Sequence, residues 1–142
     1  MLLRRGRWNF AGNCSMSSLN VAYWYLATPY SKYPGGIEAA FILACRAAAD
    51  LIRAGVRVYS PIVHTHPIAI HGGIDPYDHK IWLPAATPFL KAATGLLVLR
   101  AESWEQSYGI AEEIKAFDHA DKPILYMDPG IVPVGLGALF DV

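Results

Sequence analysis

Four short runs, VAYWYLA (21–27), VRVYSPI (56–62), GLLVL (95–99) and PILYM (123–127), are dominated by apolar and aromatic residues instead of alternating strictly in polarity. A strand without a regular polar face is one buried on both sides. Between these runs stand segments of helical spacing. Residues 37–54 place Phe41, Ala44, Ala48, Leu51 and Ile52 on apolar positions and stop at Gly55. Residues 78–93 read as a helix broken near Pro84 and Pro88, since each proline removes a backbone donor. A further helix follows Ser107 and ends near Asp121. This alternation predicts an α/β domain: a parallel sheet of four to five strands covered on both faces, a flavodoxin-like or Rossmann-like three-layer sandwich. Ligands of such sheets bind beyond the carboxyl ends of the strands. The stretches Thr28 to Gly36, His64 to Asp78 and Glu102 to Glu113 are therefore expected around one crevice, the middle one as a Pro/Gly/His-rich loop.

A chain of 142 residues, 54% hydrophobic and 17% charged, has enough apolar surface for one core. One domain is expected over residues 21–142, with residues 1–20 as a flexible arm or an upstream extension, Met16 being a natural second start. Twelve basic and twelve acidic residues cancel. That balance gives no general attraction to a nucleic acid polymer or an anionic membrane, so a small-molecule ligand is the expected partner. No apolar run reaches membrane-spanning length, and Cys14 and Cys45 have neither framework nor metal spacing, which points to the cytoplasm.

The stretch SWEQSYGIAEEIKAF (103–117) carries adjacent carboxylates in its helix. With Ile110, Ile114 and Phe117 as the core stripe, Glu113 falls between Phe117 and Ala120, whereas Glu112 falls beside Lys115 and His119. The dipole at a helix N-terminus explains Glu112. An inward carboxylate is costly without a partner, which makes Glu113 a functional candidate.

TPYSKYPGG (28–36) is a small-residue turn able to cradle a phosphate or ribose, without the spacing of a dinucleotide or P-loop motif. His64, His66, His71 and His79 share one region with Asp75 and Asp78. On an extended segment His64 and His66 would share a face and could take zinc with Asp78, although no third ligand has motif spacing. Asp78 also suits the N-cap of the next helix. Trp82 and Trp104 are core residues or stacking surfaces for a base.

The order YLATPYS, long helix, strand, HKIW, strand and Ser107-x-Gly109-x-x-x-Glu113 resembles the nucleoside 2-deoxyribosyltransferase superfamily, including the 2'-deoxynucleoside 5'-phosphate N-hydrolases. It is also similar to a compact bacterial and phage branch with a G/S-W-E-x-S-x-G-x-x-x-E-I signature. The likeness runs from about residue 23 to residue 128. It implies that Glu113 is the nucleophile attacking C1', that Ser107 meets the 5'-phosphate, and that the loop of Tyr25, Thr28, Pro29, Tyr30 and Ser31 surrounds the sugar. It implies no cofactor and no metal, and a homo-oligomer, for which the apolar tail 131–140 offers a surface. Relatives carry an aspartate in the helix before the third strand and often another at that strand's start, where this chain has Thr87-Pro88 and Thr94-Gly95. Asp78, or else His64, is the expected substitute for the acid. The function implied is an N-glycosidase or deoxyribosyltransferase of (deoxy)nucleotides. The alternatives are a non-catalytic nucleotide-binding module and a His/Asp metal-dependent hydrolase.

Overall fold

The computed structural model describes residues 22–136, so the expected arm over residues 1–20 and the end of the apolar tail lie outside the described residues. The elements are β1 (Trp24–Ala27), α1 (Ile37–Arg53), β2 (Val58–Tyr59), α2 (Pro61–Gly72), α3 (His79–Ala92), β3 (Gly95–Leu99), a 3-10 turn (Trp104–Gln106), α4 (Tyr108–His119) and β4 (Ile124–Met127). The strands form one sheet in the order β2-β1-β3-β4, and every pairing is parallel. The α/β parallel-sheet expectation holds, with four strands.

β1 and β3 are central, and all nine of their residues are buried. Alternate side chains go to opposite faces of the sheet. Trp24 and Leu26 join Ala47 and Leu51 of α1 in one cluster with Leu97 and Leu99. Tyr25 and Ala27 join Ile110 and Phe117 of α4 in a second cluster with Leu96 and Val98. These are the two seams of a three-layer sandwich.

Residues 61–72, expected as loop, are helix α2. Ser60 accepts a hydrogen bond from the Val63 N–H at 3.3 Å, Pro61 sits in the first turn where no donor is needed, and Gly73 ends the helix in the left-handed region at φ 69°. Apolar and histidine residues surround this helix without a clean stripe, which removes the periodic signal. α3 is continuous through Pro84 and Pro88. Both prolines are exposed, so the carbonyls they leave unpaired, one turn earlier, fall on the water side of the helix.

Gly95 lies directly under the indole of Trp24, its register partner. A Cβ there would stand 2.5 Å from Trp24 Cζ3 and 2.9 Å from Cε3, with Pro123 Cγ at 3.1 Å. No side chain fits there without displacing the indole. Gly95→Ala is expected to cost about 1–3 kcal/mol of stability by denaturant unfolding, and Trp24→Leu in the same chain to recover part of it. An unchanged midpoint in Gly95→Ala would contradict the close approach.

Candidate functional site

The chain leaves β1 outward to β2, crosses back to β3 and continues outward to β4, so the order reverses between β1 and β3. In parallel sheets this reversal leaves a crevice at the carboxyl ends of the strands. A cavity of about 150 Å³ lies there. Tyr25 and Tyr30 line it from β1 and the loop behind it, Pro61 and Thr65 from the start of α2, and Gly109 and Glu113 from α4. α3 supplies His79, Trp82, Leu83, Ala86, Thr87 and Leu90, a single stripe at three- and four-residue spacing. α3 buries none of its residues because this inward stripe faces the cavity. A cavity of this volume accommodates one small ring.

Glu113 is the one aspartate or glutamate among the lining residues. The residue as a whole is half-buried, but Oε2 is shut off from solvent and has no hydrogen-bond partner. Burial pushes the carboxyl up to about 8, so the free protein carries it protonated at neutral pH. Glu112, by contrast, pairs with Lys115 at 3.3 Å on the solvent side. Gly109 keeps the space beside Glu113 open: a Cβ there would lie 3.5 Å from Oε1. Ser107 begins the helix, its hydroxyl accepting from the Ile110 N–H at 3.3 Å. Tyr25 packs against Tyr59 and Phe117 with ring centroids 5.7 and 5.8 Å away, and burial first, then the charge of Glu113, raises its phenol above the ordinary value.

The cavity thus gathers Tyr25, Tyr30, Trp82, Gly109 and Glu113 from the sequence candidates. The Trp82 indole is fixed by its N–H donating to the Asp75 carbonyl at 2.8 Å. Thr28, Pro29 and Ser107 are buried beside the crevice without lining it, and Thr28 Oγ1 has no partner. Ser31 is exposed. Trp104 is partly buried, edge-on to Tyr126 at 5.8 Å, and packs against the second core cluster. Asp78 caps α3, accepting from the Lys80 N–H at 3.1 Å, and does not line the cavity. His64 is exposed on α2 and tilts against the stacked rings of Tyr59 and Phe89.

On a helix, positions two apart point about 200° from each other, so His64 and His66 cannot share a face. His66 is buried at 3% exposure, and no group of three or more metal-ligating side chains exists among the described residues. The His64, His66 and Asp78 ligand set is therefore corrected: α2 separates the two histidines, and Asp78 is a cap. His66 instead joins two residues from other elements. Tyr30 Oη is 2.6 Å from Nδ1, Glu38 Oε2 is 2.8 Å from Nε2, and Phe41 stacks on the ring at 4.7 Å. Burial, followed by Tyr77 and Glu38, pushes the Tyr30 phenol up to about 12. Nothing local in the sequence announces this row, because its members lie 28 and 36 residues apart. The α3 stripe did have a signal, the spacing of His79, Trp82, Leu83, Ala86, Thr87 and Leu90, hidden by the helix break assigned to the prolines.

A larger apolar hollow, about 360 Å³, lies between the end of α3 and α4 and is lined by Leu90, Phe117, Ala120 and Lys122 among others. It holds no carboxyl, and the Lys122 ammonium is engaged by the carbonyls of Lys91 and Ala93 at 2.6 and 2.8 Å. Of the two hollows, the smaller is the one lined by a carboxyl.

The raised Glu113 carboxyl makes stability depend on pH. The folded chain keeps a proton that the unfolded chain releases above the ordinary value of 4.5. Stability from this group is present in full below pH 4.5, declines as pH rises toward about 8, and is gone beyond it. The loss is on the order of a few kcal/mol. Denaturant midpoints of wild type are expected to fall across this window while those of Glu113→Gln stay flatter; parallel curves would contradict the desolvated carboxyl.

No curated protein matches the chain. The model of a family described as a domain of unknown function, DUF1937, matches residues 22–129, the whole sheet and all four helices, and the chain belongs to that family.

Proposed function

We propose that this protein is an N-glycosidase of nucleotides, cleaving the bond between base and sugar with Glu113 as nucleophile. The observation that carries the reading is a buried carboxyl with an unpartnered oxygen, facing a ring-sized cavity at the switch point of a parallel sheet. A carboxylate stripped of water is strongly reactive once ionised, and the positive charge developing at C1' supplies the partner the protein withholds. The first step would form an ester between a Glu113 oxygen and C1' as the C1'–N bond breaks; water or a second base would then take the sugar. The amino end of α4, which reaches the cavity at Gly109 with Ser107 buried behind it as the cap, suits a 5'-phosphate, since a helix N-terminus favours an anion. Trp82 would flank the base.

Glu113→Gln is expected to abolish base release from nucleoside 5'-monophosphates while remaining folded. On its acid side the wild-type kcat/KM profile should rise with pH as Glu113 ionises, the carboxyl being half ionised near about 8. Gly109→Ala places a methyl against Glu113 Oε1 and is expected to weaken turnover by about tenfold or more without loss of stability, alanine being the better helix residue. Base release by Glu113→Gln, measured chromatographically, would end this reading.

A nucleotide-binding module is the second reading, favoured by one specific observation: Thr87 faces the cavity with its hydroxyl donating to the Leu83 carbonyl at 2.7 Å, leaving Glu113 without a second carboxyl. It predicts saturable nucleotide binding with no product. In either case the protein would act in the cytoplasm as a homo-oligomer, a proposal supported by the exposure of Ile131 and Val134. Light scattering should then give a multiple of 15.6 kDa; a monomer mass would refute the assembly.

A further inference from the structure

We propose that Tyr30 is the acid that protonates the leaving base, with His66 and Glu38 resupplying its proton; this rests on the N-glycosidase reading above. Tyr30 lines the same cavity as Glu113, and its hydroxyl sits 2.6 Å from Nδ1 of a histidine that is 3% exposed. The other ring nitrogen of that histidine meets Glu38, whose side chain is 70% exposed. The row therefore begins at a residue that lines the cavity, passes through a buried ring and ends in water. A buried histidine with both nitrogens engaged, one by a cavity residue and one by a surface carboxylate, is arranged for moving protons. Phe41 stacks on the ring from α1 and holds its plane, while Tyr77 is the other titratable neighbour felt by Tyr30.

The proton inventory closes. With protons on both ring nitrogens, Nε2–H donates to Glu38 and Nδ1–H donates to Tyr30 Oη, which leaves the phenol O–H free to point into the cavity. As Glu113 attacks C1' and the C1'–N bond breaks, the phenol proton passes to the departing base and the Nδ1 proton moves onto the phenol oxygen. His66 is left neutral, its Nε2–H still on Glu38. In the second step water attacks C1' and frees the Glu113 carboxylate; the water's proton passes through Tyr30 back to Nδ1. The row is acid first and base second, the sequence required when one group serves both halves of a double displacement. It supplies the proton donor that Thr87, in the cavity wall, does not.

The test compares kcat/KM, which reports the first step, for a nucleoside 5'-monophosphate and for the 4-nitrophenyl glycoside of the same sugar phosphate, whose leaving group departs without a proton. Wild type, Glu113→Gln, Tyr30→Phe and Glu38→Gln are measured together. Tyr30→Phe is expected to lose about 10²–10³-fold on the nucleotide and no more than about threefold on the nitrophenyl substrate. Glu38→Gln keeps a hydrogen-bond acceptor at the surface but removes the charge; it should lose about tenfold on the nucleotide alone. Equal losses on both substrates would mean a structural role and overturn the proposal, as would a Tyr30→Phe protein that cleaves the nucleotide at the wild-type rate. In both cases an inactive Glu113→Gln leaves the N-glycosidase reading standing. Wild type silent on both substrates would overturn the two together.

Discussion

The pairing of β1 with β3 is the constraint on which the rest of the molecule depends. Their register places Trp24 opposite Gly95 and Tyr25 opposite Leu96, and the indole occupies the space that any side chain at position 95 would need. Because successive residues face opposite sides of a sheet, this register sends Trp24 and Leu26 toward α1 and Tyr25 and Ala27 toward α4. A slip of one residue would exchange the two sets and turn Tyr25 away from Glu113. The same pair of strands flanks the reversal in strand order, so the contact that holds the core together also locates the crevice.

Within that crevice the molecule departs from the usual treatment of buried charge. Carboxylates elsewhere among the described residues are paired or hydrated: Asp50 with Arg53, Glu112 with Lys115, Asp128 with Arg100. Glu113 has neither a cation nor a donor on Oε2, and it responds by holding its proton. Burial of an unpartnered carboxyl gives a core nothing that a leucine would not give better, so its position beside Gly109, the residue that keeps space open at its oxygen, is what turns a packing question into a chemical one.

How much of this could be read from the residues follows from the range of the interactions. The continuous apolar runs gave β1 and β3, and three- and four-residue spacing gave α1 and α4 with Glu113 on the inner side, because those signals are local. α2 escaped because its apolar residues surround the helix and its histidines and prolines imitate a loop, although Ser60 and Pro61 formed a legible start. The prolines of α3 misled for a similar reason: their cost depends on which side of the helix faces water, and that is decided by tertiary packing. Asp78 kept the role its position suggested, a cap. His66 could not have been chosen over His64 without knowing that both lie on a helix, and its partners Tyr30 and Glu38 come from separate elements.

The central claim, that the Glu113 carboxyl is the group that reacts, is tested most directly by trapping it. Wild-type protein incubated with a 2'-fluorinated nucleotide, whose second step is slow, is quenched in acid, digested and analysed by mass spectrometry. The expected result is a sugar phosphate attached to the peptide containing Glu113, at that residue, and no adduct in Glu113→Gln. Base released from the fluorinated nucleotide with the sugar on another residue, or on none, would contradict it.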